Sequence, residues 1–345
     1  MTELVLEFLG LSLVVAAAGT VLALAADRIA EITQLGRLLI GSLLLAAATS
    51  LPELSVDVSA VRRGLADLAV GDLLGSSLMN LLILAVLDLA VRSRGGMLSR
   101  QAASHALSGT LSIGLTAIVG LAVLTVGKLP PLTVFNVGGW SWAVLFAYAL
   151  GARMIFINQR ISARAAAEAA DAAVSATAGN AAESPSHRWA GLWKPAGLFL
   201  AATVVLVVAG PLLAETAGEL ADRSGLGSTF VGTTLVAIAT SLPELVASIT
   251  AIRVGAFDLV VGNVFGSNAF NMVLFAALDA VHEGPLFAAA NPAHAASAFA
   301  VILATVIAVL GQLYSLERRS RVIEPDAVLM LLVLGGAFLL VFRLS

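Results

Sequence analysis

The chain reads as apolar runs of about 20 residues separated by short charged or Gly/Pro-rich breaks, and that is the length at which a helix spans a bilayer. The pattern predicts ten helices, at approximately 4–26, 36–62, 67–91, 102–126, 132–157, 194–215, 227–253, 258–283, 293–315 and 324–344. Two runs are interrupted in the same way. Ala46-Ala47-Ala48-Thr49-Ser50-Leu51-Pro52-Glu53-Leu54 in the second and Ala237-Ile238-Ala239-Thr240-Ser241-Leu242-Pro243-Glu244-Leu245 in the seventh place a Pro and an ionisable Glu inside apolar sequence. An offset of 191 residues aligns Leu35–Asp88 with Leu226–Asp279 without a gap, and 25 of the 54 paired positions are identical. Duplication kept only for packing does not explain why so many of the matches fall on polar residues.

Composition strengthens the membrane reading. With 59% hydrophobic and 12% charged residues and a mean hydropathy of +0.98, the chain has too few charges to cover a water-soluble globule of its length. A net charge of −3 and 6% aromatic residues argue against nucleic acid as a partner, and the absence of cysteine excludes disulfides, thiolate metal sites and cysteine nucleophiles. The first apolar run is expected to span the membrane and not to be a cleaved signal peptide, because Glu3 and Glu7 stand where such a peptide carries positive charge.

Charge placement then sets an expected topology. The one sizeable hydrophilic stretch, 158–193, reads as a short helical extension followed by a flexible linker, so that residues 1–157 and 194–345 form two halves of five helices each. An N-terminus outside the cell puts 14 of the 19 Lys and Arg residues on inward-facing loops and 5 outside. The positive-inside rule therefore selects both termini outside, with the linker in the cytoplasm of a multi-pass plasma-membrane protein. Because five is odd, the second copy is inverted relative to the first. The expected fold class is thus an all-α polytopic membrane protein of ten transmembrane helices in two inverted five-helix repeats. Inverted repeats with interrupted helices at matching positions point to a secondary transporter with its site near the bilayer midplane.

The interruptions carry the chemistry. A carboxylate near the bilayer centre costs at least a few kcal/mol, so Glu53 and Glu244 need partners. Almost every Lys and Arg falls at a helix end or in a loop, which leaves a bound cation or a proton. Pro52 and Pro243 each remove a backbone donor and crowd the carbonyl one turn earlier, at Ala48 and Ala239. Opened carbonyls and carboxylates are the oxygen types used by hard cations such as Ca²⁺ and Na⁺. Thr49, Ser50, Thr240 and Ser241 add hydroxyls. In the next helix of each half, Gly71 and Gly75, and likewise Gly262 and Gly266, are spaced for close helix approach. Ser76 and Asn80 share a helical face that can point at the glutamate helix, or can serve only to hydrogen-bond neighbouring helices.

These paired Thr-Ser-Leu-Pro-Glu and Gly-Ser elements, about 35–91 and 226–283, resemble the alpha repeats of the sodium/calcium exchanger family within the cation/Ca²⁺ antiporter superfamily. The resemblance implies a core of the second, third, seventh and eighth helices, with one Ca²⁺ or several Na⁺ bound alternately between Glu53 and Glu244. It implies hydroxyls and carbonyls around Thr49, Ser50, Thr240, Ser241, Ser76 and Ser267. Asn80 and Asn271 fall where the family completes the site, and Ala46 and Ala237 where it uses backbone carbonyls. The chain departs from the pattern in having Asn at 271, where some prokaryotic relatives are acidic. It also has Asp57 opposite Ser248 of the second half, and Asp72 opposite Asn263. Asp57 reads as an extra ligand, a proton acceptor or a solvated residue near a helix end.

The expected function is electrogenic export of Ca²⁺ in exchange for Na⁺ by alternating access. No enzyme activity and no cofactor beyond the transported ions are expected, and one chain is sufficient. Proton-coupled or K⁺-dependent exchange is the nearest alternative, with a passive channel or a purely structural membrane protein as rivals from other classes. The four His suggest neither metal binding nor catalysis: His105 is isolated, His187 is in the linker, and His282 and His294 flank a loop.

Overall fold

The computed structural model describes residues 2–90, 102–125, 128, 132–135, 137–175, 191–224, 238–313 and 325–344. With the interrupted helix Arg37–Arg62 counted once, these residues hold ten α-helices. They are α1 (Thr2–Thr33), α2 (Arg37–Arg62), α3 (Ala66–Ala90), α4 (Ala102–Thr125), α5 (Gly139–Ser175), α6 (Trp193–Ser224), α7 (Leu242–Arg253), α8 (Phe257–Val281), α9 (His294–Leu313) and α10 (Pro325–Leu344). Eight have described stretches long and apolar enough to cross a membrane. Of the other two, α10 carries the shorter apolar stretch Ala327–Leu340, and the residues just before Ile238, at the start of the seventh expected helix, lie outside the described part.

Several boundaries differ from the expected ones. The fifth helix begins later than expected because two short strands precede it, β1 (Thr133–Val134) paired antiparallel with β2 (Val137–Gly138). It also runs on to Ser175, so the helical extension expected at the start of the linker is longer than an apolar count reveals. Likewise α6 continues through Glu215 and Glu219 to Ser224. Apolar counting stops at the first charges, whereas a helix continues wherever its backbone hydrogen bonds are still satisfied.

The sequence repeat becomes two copies of one hairpin. In each, a 12-residue helix that starts at the Leu-Pro-Glu triplet ends against a glycine and turns into a 25-residue helix. Gly64 (φ +79°) and Gly255 (φ +73°) take the left-handed conformation that closes each first helix. The amides that follow reach back five residues, Leu65 N–H to the Ala60 carbonyl at 2.9 Å and Ala256 N–H to the Ala251 carbonyl at 2.8 Å. Both hairpins thus share one turn chemistry, which sets α3 against α2 and α8 against α7.

The two halves interleave. Helix α8 is the core element: 89% of its most apolar window is buried, against 33% for α1 and α6, and it packs on α2, α3, α4, α5 and α7. Helices α1 and α6 lie along each other at the periphery, α1 against α7 and α6 against α2, so each outer helix rests on the motif of the opposite half. The close approach expected of Gly262 and Gly266 is present. A Cβ at Gly262 would stand 2.7 Å from the Leu38 carbonyl, and one at Gly266 would run into the Ser42 backbone. In the first half Gly71 faces the His294 ring, and Gly75 has no described neighbour within 4 Å.

Polar clips tie the ends of the core. Asp279 of α8 accepts hydrogen bonds from Gly138 N–H (2.6 Å), Ser141 Oγ (2.7 Å) and Leu286 N–H (2.8 Å). His105 is buried, not isolated: its Nε2 lies 3.0 Å from Asp258 Oδ1. His294 Nε2 lies 2.9 Å from Asp67 Oδ1. Asp67 and Asp258 are repeat equivalents, and each pairs with a His of the other half. These two histidines therefore link helices of opposite halves.

Candidate functional site

Each glutamate stands in the first turn that follows a helix break. In α2 the backbone passes through a π-helical segment, Ile40–Leu45, and one α-helical turn, Ala46–Thr49. It then leaves helical geometry at Ser50 (φ −89°, ψ 1°) before resuming at Leu51. Ser241 repeats the break with φ −83° and ψ 2°. Neither serine caps its helix with its side chain, and the proline in each first turn brings no N–H donor.

The breaks from the two halves meet. Glu53 and Glu244 are fully buried and close enough for their carboxyl groups to interact electrostatically. Ser76 Oγ of α3 donates to Glu53 Oε1 at 3.4 Å, and Glu53 Oε2 has no described partner. The hydroxyls of Thr49 and Ser50 are turned toward Glu244 without closing a hydrogen bond of good geometry, and neither Glu244 oxygen has a described partner. Thr49 Oγ1 lies 3.1 Å from the Leu45 carbonyl, 3.3 Å from the Ala46 carbonyl, 3.4 Å from Asn263 Oδ1 and 3.4 Å from Ser267 Oγ. A hydroxyl has one proton to give and two lone pairs, so at most one of these contacts uses the proton and, even if Ser267 donates to Thr49, one lone pair stays available. None of the described ion pairs includes Glu53 or Glu244.

One amide is oriented by a residue that sequence reasoning missed. Asn80 Nδ2 donates to Asn268 Oδ1 at 3.1 Å, while Asn268 Nδ2 donates to the Ser77 carbonyl at 3.1 Å. Because Asn268 spends its amine on a carbonyl, its oxygen must face Asn80, and Asn80 Oδ1 is left as a buried acceptor with no described partner. The repeat equivalent of Asn268 is Ser77, whose hydroxyl donates to its own helix at Leu73. Asn271, the equivalent of Asn80, accordingly lacks such a partner, and both its amide atoms are unpaired among the described residues. If Asn80 ligates Ca²⁺, as the resemblance implies, Asn268→Leu is expected to weaken its binding about tenfold, or about 1.4 kcal/mol, measured as ⁴⁵Ca²⁺ retention by the purified protein.

Of the other expected ligands, Thr240, Ser241 and Ser267 are buried, and Ser241 Oγ has no described partner. The Ala46 carbonyl accepts from Ser50 N–H at 3.1 Å and lies beside Thr49. Ala237 lies outside the described residues. Asp57 is 1% exposed, so its reading as a solvated residue near a helix end is corrected. Among the described residues no three His, Asp or Glu side chains form a metal-holding group. A cation here would be held by carboxylate pairs and neutral oxygens.

A further pair of residues had no polar signature to reveal it. A Cβ at Gly210 of α6 would stand 2.5 Å from Pro52 Cβ, and one at Gly19 of α1 would stand 3.4 Å from the Pro243 carbonyl and from Val246. Gly19 and Gly210 are also 191 residues apart. Extending the repeat offset into the first helix of each half would have found them.

The chain is similar to known proteins. The family described as "Sodium/calcium exchanger protein" matches residues 3–157 and 194–343. The inner membrane protein YrbG of Escherichia coli K12 is 32% identical over 251 residues, covering 71% of this chain and 69% of that protein. The sodium/calcium exchanger MaX1 of Methanosarcina acetivorans is 40% identical over 74 residues, 21% of each chain. A solved structure of the sodium-calcium exchanger NCX_Mj, soaked with 10 mM Na⁺ and zero Ca²⁺, superposes with a TM-score of 0.68. That alignment covers 98% of this chain and 99% of the other at 19% identity, a likeness of fold. With both halves matched by one family, the chain belongs to the sodium/calcium exchanger family, as a multi-pass membrane transporter of inorganic cations.

Proposed function

We propose that this protein is an electrogenic antiporter of the plasma membrane that exports cytoplasmic Ca²⁺ in exchange for Na⁺. The observation that carries the reading is the meeting of Glu53 and Glu244 from opposite repeats, with unpaired oxygens, hydroxyls turned toward them and no described basic partner. Glu53, Glu244, Asn80, Asn271, Ser76, Ser267, Thr49, Ser50, Thr240, Ser241 and the Ala46 and Ala237 carbonyls form the shared ligand set. Two carboxylates neutralise one Ca²⁺, whereas three Na⁺ on the same pair leave one net positive charge. Moving that charge is worth about 2.3 kcal/mol per 100 mV, which helps drive Ca²⁺ outward. Both ions need the same oxygens, so occupancy by one excludes the other, and exchange follows from that competition.

Alternating access fits the packing. Helices α1 and α6 pair with each other at the periphery and meet the motif prolines through Gly210 and Gly19, the arrangement needed for an outer pair to slide past a fixed core. The positive-inside count supports outside termini and a cytoplasmic 158–193 segment, and the inner-membrane location in the name of the Escherichia coli relative supports the plasma membrane.

The deciding experiment is Ca²⁺ uptake into proteoliposomes preloaded with Na⁺, at constant pH and clamped voltage. Uptake is expected to need the outward Na⁺ gradient, to speed up when the lumen is clamped positive and to slow when it is clamped negative, because three Na⁺ leaving for each Ca²⁺ entering carry one net positive charge outward. Uptake indifferent to Na⁺ but driven by a pH gradient would replace Na⁺ with H⁺ as the coupling ion, and flux that never concentrates Ca²⁺ would mark a channel.

A further inference from the structure

Beyond the shared ligand set, we infer that Asp57 and Asp72 form a second cation site, for a divalent ion of the Ca²⁺ class, stacked on the Glu53 and Ser76 level toward the α2–α3 turn. Asp57 follows Glu53 by four residues on the buried face of α2, and Asp72 precedes Ser76 by four on α3. Each aspartate is therefore displaced by about one helical turn, roughly 5–6 Å, in the same direction along the hairpin. Their carboxyl groups face each other within hydrogen-bonding reach. Asp57 is 1% exposed, and the Oδ2 atoms of both residues are buried without a described partner. Glu53, itself fully buried with Oε2 unpaired, is near enough to interact electrostatically with both.

Charge compensation points to a ligand. Neither aspartate belongs to any described ion pair, and the next basic residues along the hairpin, Arg62 and Arg63, are exposed. With one Ca²⁺ at Glu53 and Glu244, only a proton held between the facing carboxyl groups offsets Asp57 and Asp72, and a second divalent ion takes the place of that proton and neutralises both. A hard cation is the matching occupant because every candidate ligand atom is oxygen. The second repeat has no such pair: Ser248 and Asn263 stand at the equivalent positions, and Asn263 is instead turned to Thr49. The extra site therefore belongs to one membrane side of the pathway only. A negative pair at that position concentrates cations on the approach to the central ligands.

The inference rests on the proposed central site only for the order of the two sites along the path, and binding tests it apart from transport. Equilibrium ⁴⁵Ca²⁺ binding to the purified full chain in detergent, without Na⁺ and at fixed pH, is expected to give two ions per chain for the wild type. It should give one for Asp57→Ser/Asp72→Asn, one for Glu244→Gln and none for the three changes combined. The first pair of substitutions installs the residues that the second repeat already accommodates, and gel filtration checks the fold. If that double variant does not stay monodisperse, Asp72→Asn alone in the Glu244→Gln background should weaken the remaining ion at least tenfold. Unchanged stoichiometry in Asp57→Ser/Asp72→Asn, or loss of all binding in Glu244→Gln alone, overturns the second site. Proton release without Ca²⁺ binding at the pair overturns it as well. Two ions retained in Glu244→Gln would instead count against the central reading.

Discussion

Glu244→Gln is expected to reduce Na⁺-driven Ca²⁺ uptake at least about 100-fold while the protein still folds. Both Glu244 oxygens are buried without a described partner, so the side chain contributes little to the apo fold, and its charge is a cost to be offset by an ion. The amide keeps the shape and removes that cost. Uptake by proteoliposomes reads the first effect, and thermal unfolding in detergent reads the second. The apo melting temperature should rise relative to wild type, and stabilisation by Ca²⁺ should shrink. Ligand at 100 times its Kd stabilises a folded protein by about 2.7 kcal/mol, so losing a binding carboxylate is visible as a smaller Ca²⁺-dependent shift. A variant that folds, melts as wild type with and without Ca²⁺ and still transports would remove Glu244 from the site. Glu53→Gln should behave similarly in transport. It should raise the apo stability less, because Ser76 already hydrogen-bonds one Glu53 oxygen.

Gly210→Ala should separate movement from binding. The added Cβ would sit 2.5 Å from Pro52 Cβ and 3.1 Å from its Cγ, and a proline ring on an interrupted helix has little freedom to yield. Carbon atoms pack at about 3.5–4.0 Å, so α6 must lift from α2 by on the order of 1 Å, an overpacking that costs about 1–3 kcal/mol. That cost falls on the contact along which the outer helices slide past the core, so it weighs differently on the inward- and outward-facing arrangements and shifts the balance between them. Transport is expected to drop at least tenfold, with ⁴⁵Ca²⁺ binding within about threefold of wild type. Gly19→Ala is the internal control. Its Cβ meets Pro243 and Val246 at 3.4 Å, an ordinary van der Waals contact, and transport should fall less than threefold. Equal losses in both variants would show that helix packing in general, and not the Pro52 contact, sets the effect.

Much of the molecule was legible in the sequence because membrane helices announce themselves by length and hydropathy, and because a 191-residue offset preserved polar residues that packing alone does not demand. The Thr-Ser-Leu-Pro-Glu copies identified both the helix breaks and the carboxylates, and the structure brings Glu53, Ser76, Thr49, Ser50 and Glu244 together. Glycine at Gly262 and Gly266 correctly signalled backbone contact with residues 38–42.

What the sequence determined by itself was local and periodic: the helices, their breaks, the duplication and the chemical types at each repeat position. Those follow from backbone hydrogen bonding in a medium without water, which leaves a chain few choices. Which half touches which was decided only by tertiary packing. Asn268 orients Asn80 across 188 residues, Thr49 meets Ser267 from the other repeat, and Gly210 rests on Pro52, none of which has a signature within its own helix. Burial was likewise a tertiary outcome. Asp57 stands near a helix end, where sequence alone allows solvation, but α3 closes over it and sets Asp72 against it. The physical reason is that a helix face shows which residues point the same way, whereas only the neighbouring helices decide whether a polar atom there finds water, a partner or an ion.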